Sequence, residues 1–153
     1  MQSVFERLQS LLKKSGVNYT VTQHPPVFTS EEAAAVRGVP LSSGAKALIL
    51  KAGERFAMLV VPADRKLDSK KARTALGVKS TRFATREEVL ELTTLQPGSI
   101  PPFGSLFTLP TYVDPALGLN ESINFNAGDH AISIQIASSD YMKVEQPTVM
   151  EVT

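Results

Sequence analysis

Two apolar runs in the middle of the chain constrain its fold more than any other feature. Residues 46–51 and 55–61 are both strand-like, and only Ala52, Gly53 and Glu54 separate them. A short connection with a glycine between two such runs is typical of a β-hairpin. We therefore predict a central hairpin.

Helix and strand signals alternate along the rest of the chain. Val4, Leu8 and Leu11 at helical spacing, followed by Lys13 and Lys14, predict a helix within residues 1–16. Further signals predict, in order, a half-buried strand at 17–22, a helix from Thr29 to Gly38, a helix at about 70–76, a short strand near 81–84, a helix from Thr85 through Leu92, strands at 106–109, 111–113, 123–126 and 131–136, and a brief helix near Tyr141. An α+β domain with a mixed or antiparallel sheet fits this order.

Composition limits the classes of function. With 153 residues, 42% of them hydrophobic and 20% charged, the chain is predicted to form one domain over residues 1–153. Since 16 Lys and Arg are balanced by 15 Asp and Glu, the net charge of +1 argues against a polyanion binder that relies on bulk charge. The absence of cysteine and the presence of only two histidines predict no thiolate chemistry and no metal site. No apolar run approaches the roughly 18 residues of a membrane span, so we expect a cytoplasmic protein without a membrane partner.

An uncharged loop, LQPGSIPPFGSLF at 95–107, contains three prolines. Glycine lets the backbone approach a ligand closely, and each proline fixes its own φ and lowers the entropy of the free loop. Such a loop is suited to holding backbone N–H groups in place for a ligand. A stiff connector between two strands is the alternative interpretation.

Four segments, taken together, point to a family. GAKALIL at 44–50, PAD at 62–64, GSIPPFG at 98–104 and NFNAG at 124–128 resemble, in order and spacing, the YbaK/prolyl-tRNA-synthetase-associated editing domain family. With the final VEQPTV, the chain is most similar to freestanding YeaK-like members, from about Val17 to its end. This family hydrolyses the ester of wrongly aminoacylated tRNA. The resemblance implies a compact α+β domain whose curved, mixed, largely antiparallel sheet is flanked by short helices and holds a cleft.

The resemblance also implies catalytic roles for Lys46, Gly98 and Pro102. Lys46 matches a near-defining lysine of the family, and at the start of a strand its ammonium group can hold a phosphate or a ribose hydroxyl. Gly98 and Pro102 match a Gly-x-x-x-Pro loop whose backbone N–H groups can polarise the ester carbonyl. For Lys46, a solvated lysine at a strand end is the alternative.

A second set of residues is predicted to bind the substrate. Its members line the family's pocket or lie within its loop: His24, Phe28, Thr29, Ser99, Ile100, Pro101, Asn126, Ala127, Gly128 and His130. His130 could act as a general base, although a lone histidine at a turn is more often exposed or structural. For His24 we favour a hydrogen bond within its own corner of the chain.

A basic cluster on and before one predicted helix is a candidate contact for tRNA phosphates. Its members are Arg65, Lys66, Lys70, Lys71 and Arg73. Contacts of this kind are salt-dependent and carry no sequence information. A solvated helix face is the alternative.

We therefore predict a freestanding deacylase that acts on the acceptor end of mischarged tRNA, without cofactor or metal. The amino acid is predicted to be small, serine or threonine, or else alanine. An aminoacyl-tRNA synthetase is a second candidate partner. The alternative is a non-catalytic module that binds tRNA or a synthetase. A small-molecule hydrolase would need a nucleophile with an adjacent base, which the sequence does not indicate.

Overall fold

The computed structural model describes residues 2–153 and contains, in that range, five α-helices and eight β-strands. The helices are α1 (Val4–Lys14), α2 (Ser30–Arg37), α3 (Ser69–Leu76), α4 (Arg86–Thr93) and α5 (Ser138–Glu145). The strands are β1 (Tyr19–Gln23), β2 (Ala45–Ala52), β3 (Arg55–Pro62), β4 (Thr81–Phe83), β5 (Thr111–Val113), β6 (Ser122–Asn126), β7 (Ile132–Ala137) and β8 (Thr148–Val149). In this part of the chain, no helix is long and apolar enough to cross a membrane.

Side-chain caps determine where several helices begin. The Thr29 hydroxyl accepts a hydrogen bond from the N–H of Glu32, and the Glu32 carboxylate accepts one from the N–H of Thr29, both at 3.1 Å. Thr85 and Glu88 form the same reciprocal pair at the start of α4. Each cap satisfies N–H groups that the first helical turn leaves unpaired, and is worth about 1 kcal/mol. These starts are as predicted from the sequence.

The strands form two sheets. One has five strands in the order β4-β2-β3-β5-β8, with β2 antiparallel to β3 and β4 and parallel pairing from β3 through β8. The other is the antiparallel set β1-β7-β6. An isolated parallel bridge between Gly44 and Asn124 connects the two sheets. The predicted α+β class and the central hairpin are confirmed.

The β2-β3 hairpin is buried on both faces. Met58 and Val60 lie in the larger core with α1 and the smaller sheet, where Phe103, Phe125 and Tyr141 pack edge to face. Leu59 and Val61 lie in a second cluster that contains Ala72 of α3 and Val152. Double-sided burial explains why the two runs are apolar at consecutive positions rather than at alternate ones.

Two sequence expectations are wrong. Residues 106–109 were expected to form a strand, but Gly104–Phe107 form a 3-10 helix, whose first N–H donates to Thr111 Oγ1 at 3.0 Å. The first strand was expected to be half buried, yet four of the five residues of β1 are exposed. β1 is an edge strand that pairs only with β7, and Tyr19 is its one residue that packs against the core.

Candidate active site

A cleft of about 540 Å³ lies between α2, the open end of the β2-β3 hairpin and the proline-rich loop. Val27, Phe28 and Thr29 form one edge of it, and Ile100 and Phe125, which are 6% and 1% exposed, lie at its floor. Charged side chains of both signs line it: Glu31, Arg37, Lys46, Asp64, Arg65 and Lys66. With four cations against two carboxylates, the cleft favours an anionic ligand.

Lys46 extends from the second residue of β2, opposite Val61 of β3. The side chain is exposed and lines the cleft. Within residues 2–153 it has neither a hydrogen-bond nor an ion-pair partner. An ammonium group on a rigid strand, without a partner in the fold, is available to an anionic or hydroxylated ligand.

The proline-rich loop is held in one conformation around Gly98. Gly98 has φ +91°, a value that strongly favours glycine. Its carbonyl accepts a hydrogen bond from the Asn126 amide at 2.8 Å, and the Ser99 carbonyl accepts one from the N–H of Gly128 at 2.8 Å. Gly128 itself has φ +89°, as the predicted tight turn requires.

Two N–H groups of this loop that belong to cleft-lining residues have no acceptor within residues 2–153. Pro101 and Pro102 have no N–H, and the N–H of Ser99 donates to the carbonyl of Gln96 at 3.2 Å. The N–H groups of Gly98 and Ile100 have no acceptor in the described part of the chain. Both residues line the cleft.

Arg37 is the site residue that the sequence analysis missed. Its Nε donates to Ser133 Oγ at 2.8 Å, and a terminal nitrogen donates to Asn126 Oδ1 at 3.0 Å. Burial lowers the pKa of Arg37 to about 10, so the guanidinium remains charged at neutral pH. A continuous chain of hydrogen bonds therefore runs from α2 through Asn126 to the carbonyl of Gly98.

His24 extends this hydrogen-bond network on the side of Ser133. Its Nε2 lies 2.7 Å from Ser133 Oγ, and its Nδ1 lies 2.9 Å from the Pro25 carbonyl. Because a carbonyl can only accept, Nδ1 carries the proton in the neutral ring and Nε2 accepts from the Ser133 hydroxyl. Ser133 is 3% exposed and lies outside the cleft walls, which makes this serine and histidine a structural link rather than a nucleophile and its base.

The predicted site residues divide into four groups. The cleft wall includes Lys46, Gly98, Phe28, Thr29, Ile100, Asn126 and His130, together with Arg65 and Lys66. Ser99 and Gly128 line a neighbouring depression instead. Pro101, Pro102 and Ala127 are buried and line neither cavity, and the Tyr141 hydroxyl donates to the Pro102 carbonyl at 2.7 Å. His24, Lys70, Lys71 and Arg73 lie outside the walls of both cavities.

Solved structures define the class of this fold. The chain superposes over its whole length on 98% of a crystal structure of a protein proposed to be a trans-editing enzyme for prolyl tRNA synthetase, with a TM-score of 0.88 and 25% identity. The model of the family described as the aminoacyl-tRNA editing domain matches residues 24–144. The chain belongs to this family, as the four sequence segments predict.

Curated relatives include freestanding proteins and parts of larger enzymes. The chain is 31% identical over 150 residues to the multifunctional Ser/Thr-tRNA deacylase ProXp-y of Escherichia coli K12, an alignment that covers 95% of this chain and 90% of that protein. It is 27% identical over 136 residues to the proline--tRNA ligase of Bacillus licheniformis, covering 81% of this chain and 24% of that enzyme.

Proposed function

We propose that this protein is a freestanding deacylase that hydrolyses the ester bond of mischarged aminoacyl-tRNA. The observation that supports this most directly is the position of Lys46, Gly98 and Asn126 along one cleft in a member of the editing family. The similarity to a Ser/Thr-tRNA deacylase extends over almost the entire length of both chains.

The loop around Gly98 supplies the electrophilic part of the mechanism. In the proposal, the ester carbonyl oxygen accepts hydrogen bonds from the N–H groups of Gly98 and Ile100. These donors are held in place before the substrate arrives, so little reorganisation is needed as negative charge develops on that oxygen. Removal of one such donor in other enzymes costs about 10²- to 10³-fold in kcat.

Water is the nucleophile, and the substrate supplies the base. A water molecule forms a bond to the carbonyl carbon, and the bond from that carbon to the ribose oxygen breaks. The proton that the water loses passes to the free hydroxyl of the same ribose and then to the departing oxygen. The products are the free amino acid and uncharged tRNA.

Lys46 binds the terminal nucleotide of the tRNA. Its ammonium group holds the phosphate or a ribose hydroxyl and so sets the position of the ester relative to Gly98. Correct positioning of reacting groups is worth several orders of magnitude in rate, and a displacement of about 1 Å can cost roughly 10²-fold.

The amino acid removed is small, with serine or threonine first and alanine second. Thr29 lines the cleft, and its hydroxyl oxygen accepts the capping bond of α2 while its proton stays available to a hydroxylated side chain. An apolar pocket alone separates residues that differ by one methyl or hydroxyl group by only about 10- to 200-fold.

The same proposal covers the partners, the location and the extent of the domain. Arg65 and Lys66 contact phosphates of the acceptor end, and Lys70, Lys71 and Arg73 extend this contact along α3. A synthetase that produces the mischarged tRNA is the second partner.

Since the substrate belongs to translation, the protein acts in the cytoplasm. Residues 1–153 act as one editing domain, because α1 packs in the same core as the smaller sheet.

A panel of mischarged tRNAs tests the function. Seryl-, threonyl-, alanyl- and correctly charged prolyl-tRNA are incubated with the wild-type protein, and the remaining ester is measured over time. We expect rapid loss of at least one small amino acid and no loss of proline. Lys46→Ala should reduce kcat/KM by roughly 10²-fold or more while the melting temperature stays unchanged.

Lys143→Ala is the matched control for this panel. Lys143 is an exposed lysine on α5 that lines neither cavity, and its replacement should leave the rate unchanged. A wild-type protein that binds the tRNAs without hydrolysing any of them would instead support the non-catalytic module. Full activity of Lys46→Ala would remove Lys46 from the mechanism.

A further inference from the structure

Phe28 and His130 form an aromatic ridge between two cavities. Both residues line the cleft of about 540 Å³, and both also line a second, more open depression of about 410 Å³. The remaining walls of the depression are Pro26, Thr94, Leu95, Gln96, Ser99, Gly128 and Asp129. A ligand that extends out of the cleft on this side must cross the two rings.

The ridge is fixed by the fold. The N–H of Val27 donates to the carbonyl of His130 at 3.1 Å, and the N–H of Phe28 donates to the Glu32 carboxylate at 3.2 Å. The imidazole of His130 lies against the Phe28 ring, with ring centroids 4.9 Å apart and planes 32° from parallel. Phe28 is nevertheless 74% exposed, more than Phe83 at 59%. An aromatic ring held in place and left open to solvent is suited to stacking on a planar ligand.

The ridge is also adjacent to the proposed reaction centre. A methyl group built on Gly98 would lie 3.5 Å from His130 Nε2, so the imidazole lies beside the loop that polarises the ester, with space for about one methyl group between them. In aminoacyl-tRNA the ester and the terminal base are attached to the same ribose. When the ester carbonyl of the substrate is bound at Gly98, the terminal base therefore lies close to the ridge.

We propose that Phe28, supported by His130, is the stacking platform for the terminal nucleobase of the substrate. This inference rests on the proposed deacylase function and assigns the ridge to the base rather than to the amino acid. The amino acid has a better apolar surface deeper in the cleft, at Ile100 and Phe125, which are almost fully buried. Unpaired bases stack on exposed aromatic rings in many proteins that bind single-stranded nucleic acid.

Tryptophan fluorescence provides a binding test that does not depend on activity. The chain contains no tryptophan, so Phe28→Trp introduces a single tryptophan at the platform, whose fluorescence can be excited separately from that of the three tyrosines. Titration with the trinucleotide CCA should quench this fluorescence with saturation, and ribose 5-phosphate, which lacks a base, should not. Phe83→Trp is the matched control, because Phe83 is exposed on β4 and lines neither cavity. Equal responses of the two variants, or no saturable quenching at Phe28→Trp, would overturn the proposal.

Kinetics separate the base from the amino acid as the group that contacts Phe28. Phe28→Ala should raise KM for every mischarged tRNA by roughly 5- to 150-fold, which corresponds to the stacking of one base. Phe28→Tyr keeps an aromatic ring, so its KM should be close to that of the wild-type protein. The ratio of kcat/KM between seryl- and alanyl-tRNA should stay the same, and a change in this ratio would assign the ring to the amino acid. If the wild-type protein hydrolyses no mischarged tRNA but CCA still quenches Phe28→Trp, the platform stands and the deacylase function fails.

Discussion

The two sides of the cleft are built differently. On the loop wall, Gly98, Asn126 and Arg37 are connected to one another by hydrogen bonds of 2.8 Å and 3.0 Å. On the cation wall, Lys46 and Lys66 are exposed and, in the described part of the chain, have no hydrogen-bond or ion-pair partner. Hydrogen bonds within the fold hold the side chains of the loop wall in place, whereas within residues 2–153 no such bond holds the side chains of the two lysines. We infer that the loop wall determines the rate of the chemical step, that Lys46 positions the ester, and that Lys66 contributes to affinity alone.

Replacement of Gly98 by alanine should have the largest effect on catalysis. At φ +91° an L-residue is strained by roughly 1–2 kcal/mol, and relief of this strain would turn the two free N–H groups away from the ester. We expect kcat to fall by about 10²- to 10³-fold, with a smaller change in KM. Single-turnover deacylation measures the effect.

Gly77→Ala is the control for this variant. Gly77 ends α3 with φ +68°, and a methyl group there meets no atom within 4 Å. The strain is therefore of the same kind, but it lies outside the cleft. If Gly77→Ala lost as much kcat as Gly98→Ala, general destabilisation would explain both results and the loop wall would have no special role.

Replacement of Arg37 by lysine should have the next largest effect. Arg37 is a positioning residue, because it acts on the loop through Asn126. A single ammonium group cannot reproduce the two hydrogen bonds that the guanidinium makes at fixed angles, so the conservative change should not preserve function. We expect kcat to fall by roughly 10- to 100-fold at nearly constant KM.

Two further variants test whether Arg37 acts on the loop through Asn126. Arg86→Lys, at an exposed position on α4 outside both cavities, should leave kcat unchanged. Asn126→Ala should reduce kcat by a similar factor, and the double variant should lose little more than either single one, because both changes release the same carbonyl. Strictly additive losses would show that the two residues act separately.

Replacement of Lys66 by alanine tests the cation wall and should have a smaller effect. We expect a few-fold rise in KM with kcat unchanged. If Lys66 contacts one phosphate of the single-stranded acceptor end, its loss should also reduce the slope of log affinity against log salt concentration by about 0.7. Filter binding of tRNA at several salt concentrations measures this slope, with Lys143→Ala as the unchanged reference. A fall in kcat would contradict the division of roles between the two walls.

Asp114 lies outside both walls, and its replacement by asparagine should leave kcat/KM unchanged. Burial by itself would raise the pKa of Asp114, but hydrogen bonds from Val152, Ala116 and Thr153 outweigh it and hold the pKa below its ordinary value. Loss of these charge-assisted bonds should lower the free energy of unfolding by about 1–3 kcal/mol at pH 7.

The pH dependence gives this last prediction a definite sign. Because the folded-state pKa is lower than the unfolded-state pKa, the contribution of Asp114 is fully present above about pH 5 and disappears as the pH falls through the folded-state value. Urea unfolding should therefore separate the wild type from Asp114→Asn at pH 7 and much less at pH 3. A loss of deacylation without a loss of stability would instead connect Asp114 to the cleft.

Local rules predicted the parts of the fold that neighbouring residues determine. The caps at Thr29 and Thr85 involve partners three residues away, and the central hairpin follows from two runs joined by a short turn. The strand expected at 106–109 failed because the close packing of Gly104 against Thr111, which the sequence does not indicate, bends the chain into a 3-10 turn.

The cleft was predicted only where a motif marks it. Lys46, Gly98 and Asn126 lie in segments with a family pattern, and the structure brings them to one cleft. Arg37 could not be found in this way, because Ser133 is 96 positions away and a basic residue in a last helical turn is normally explained by the helix dipole. The signal that identifies Arg37 is a half-buried cation without a carboxylate partner in the described part of the chain, which is visible only in three dimensions.

The double-sided burial of the central hairpin has a consequence for how the protein tolerates mutation. In a strand with one solvent-exposed face, sensitivity to substitution alternates from one residue to the next, because every second side chain is exposed. Here Ala57, Met58, Leu59, Val60 and Val61 are all at most 4% exposed, so polar replacements should be rejected at five successive positions. Lys46, which pairs with Val61, is therefore held beside a segment in which few polar substitutions should be tolerated.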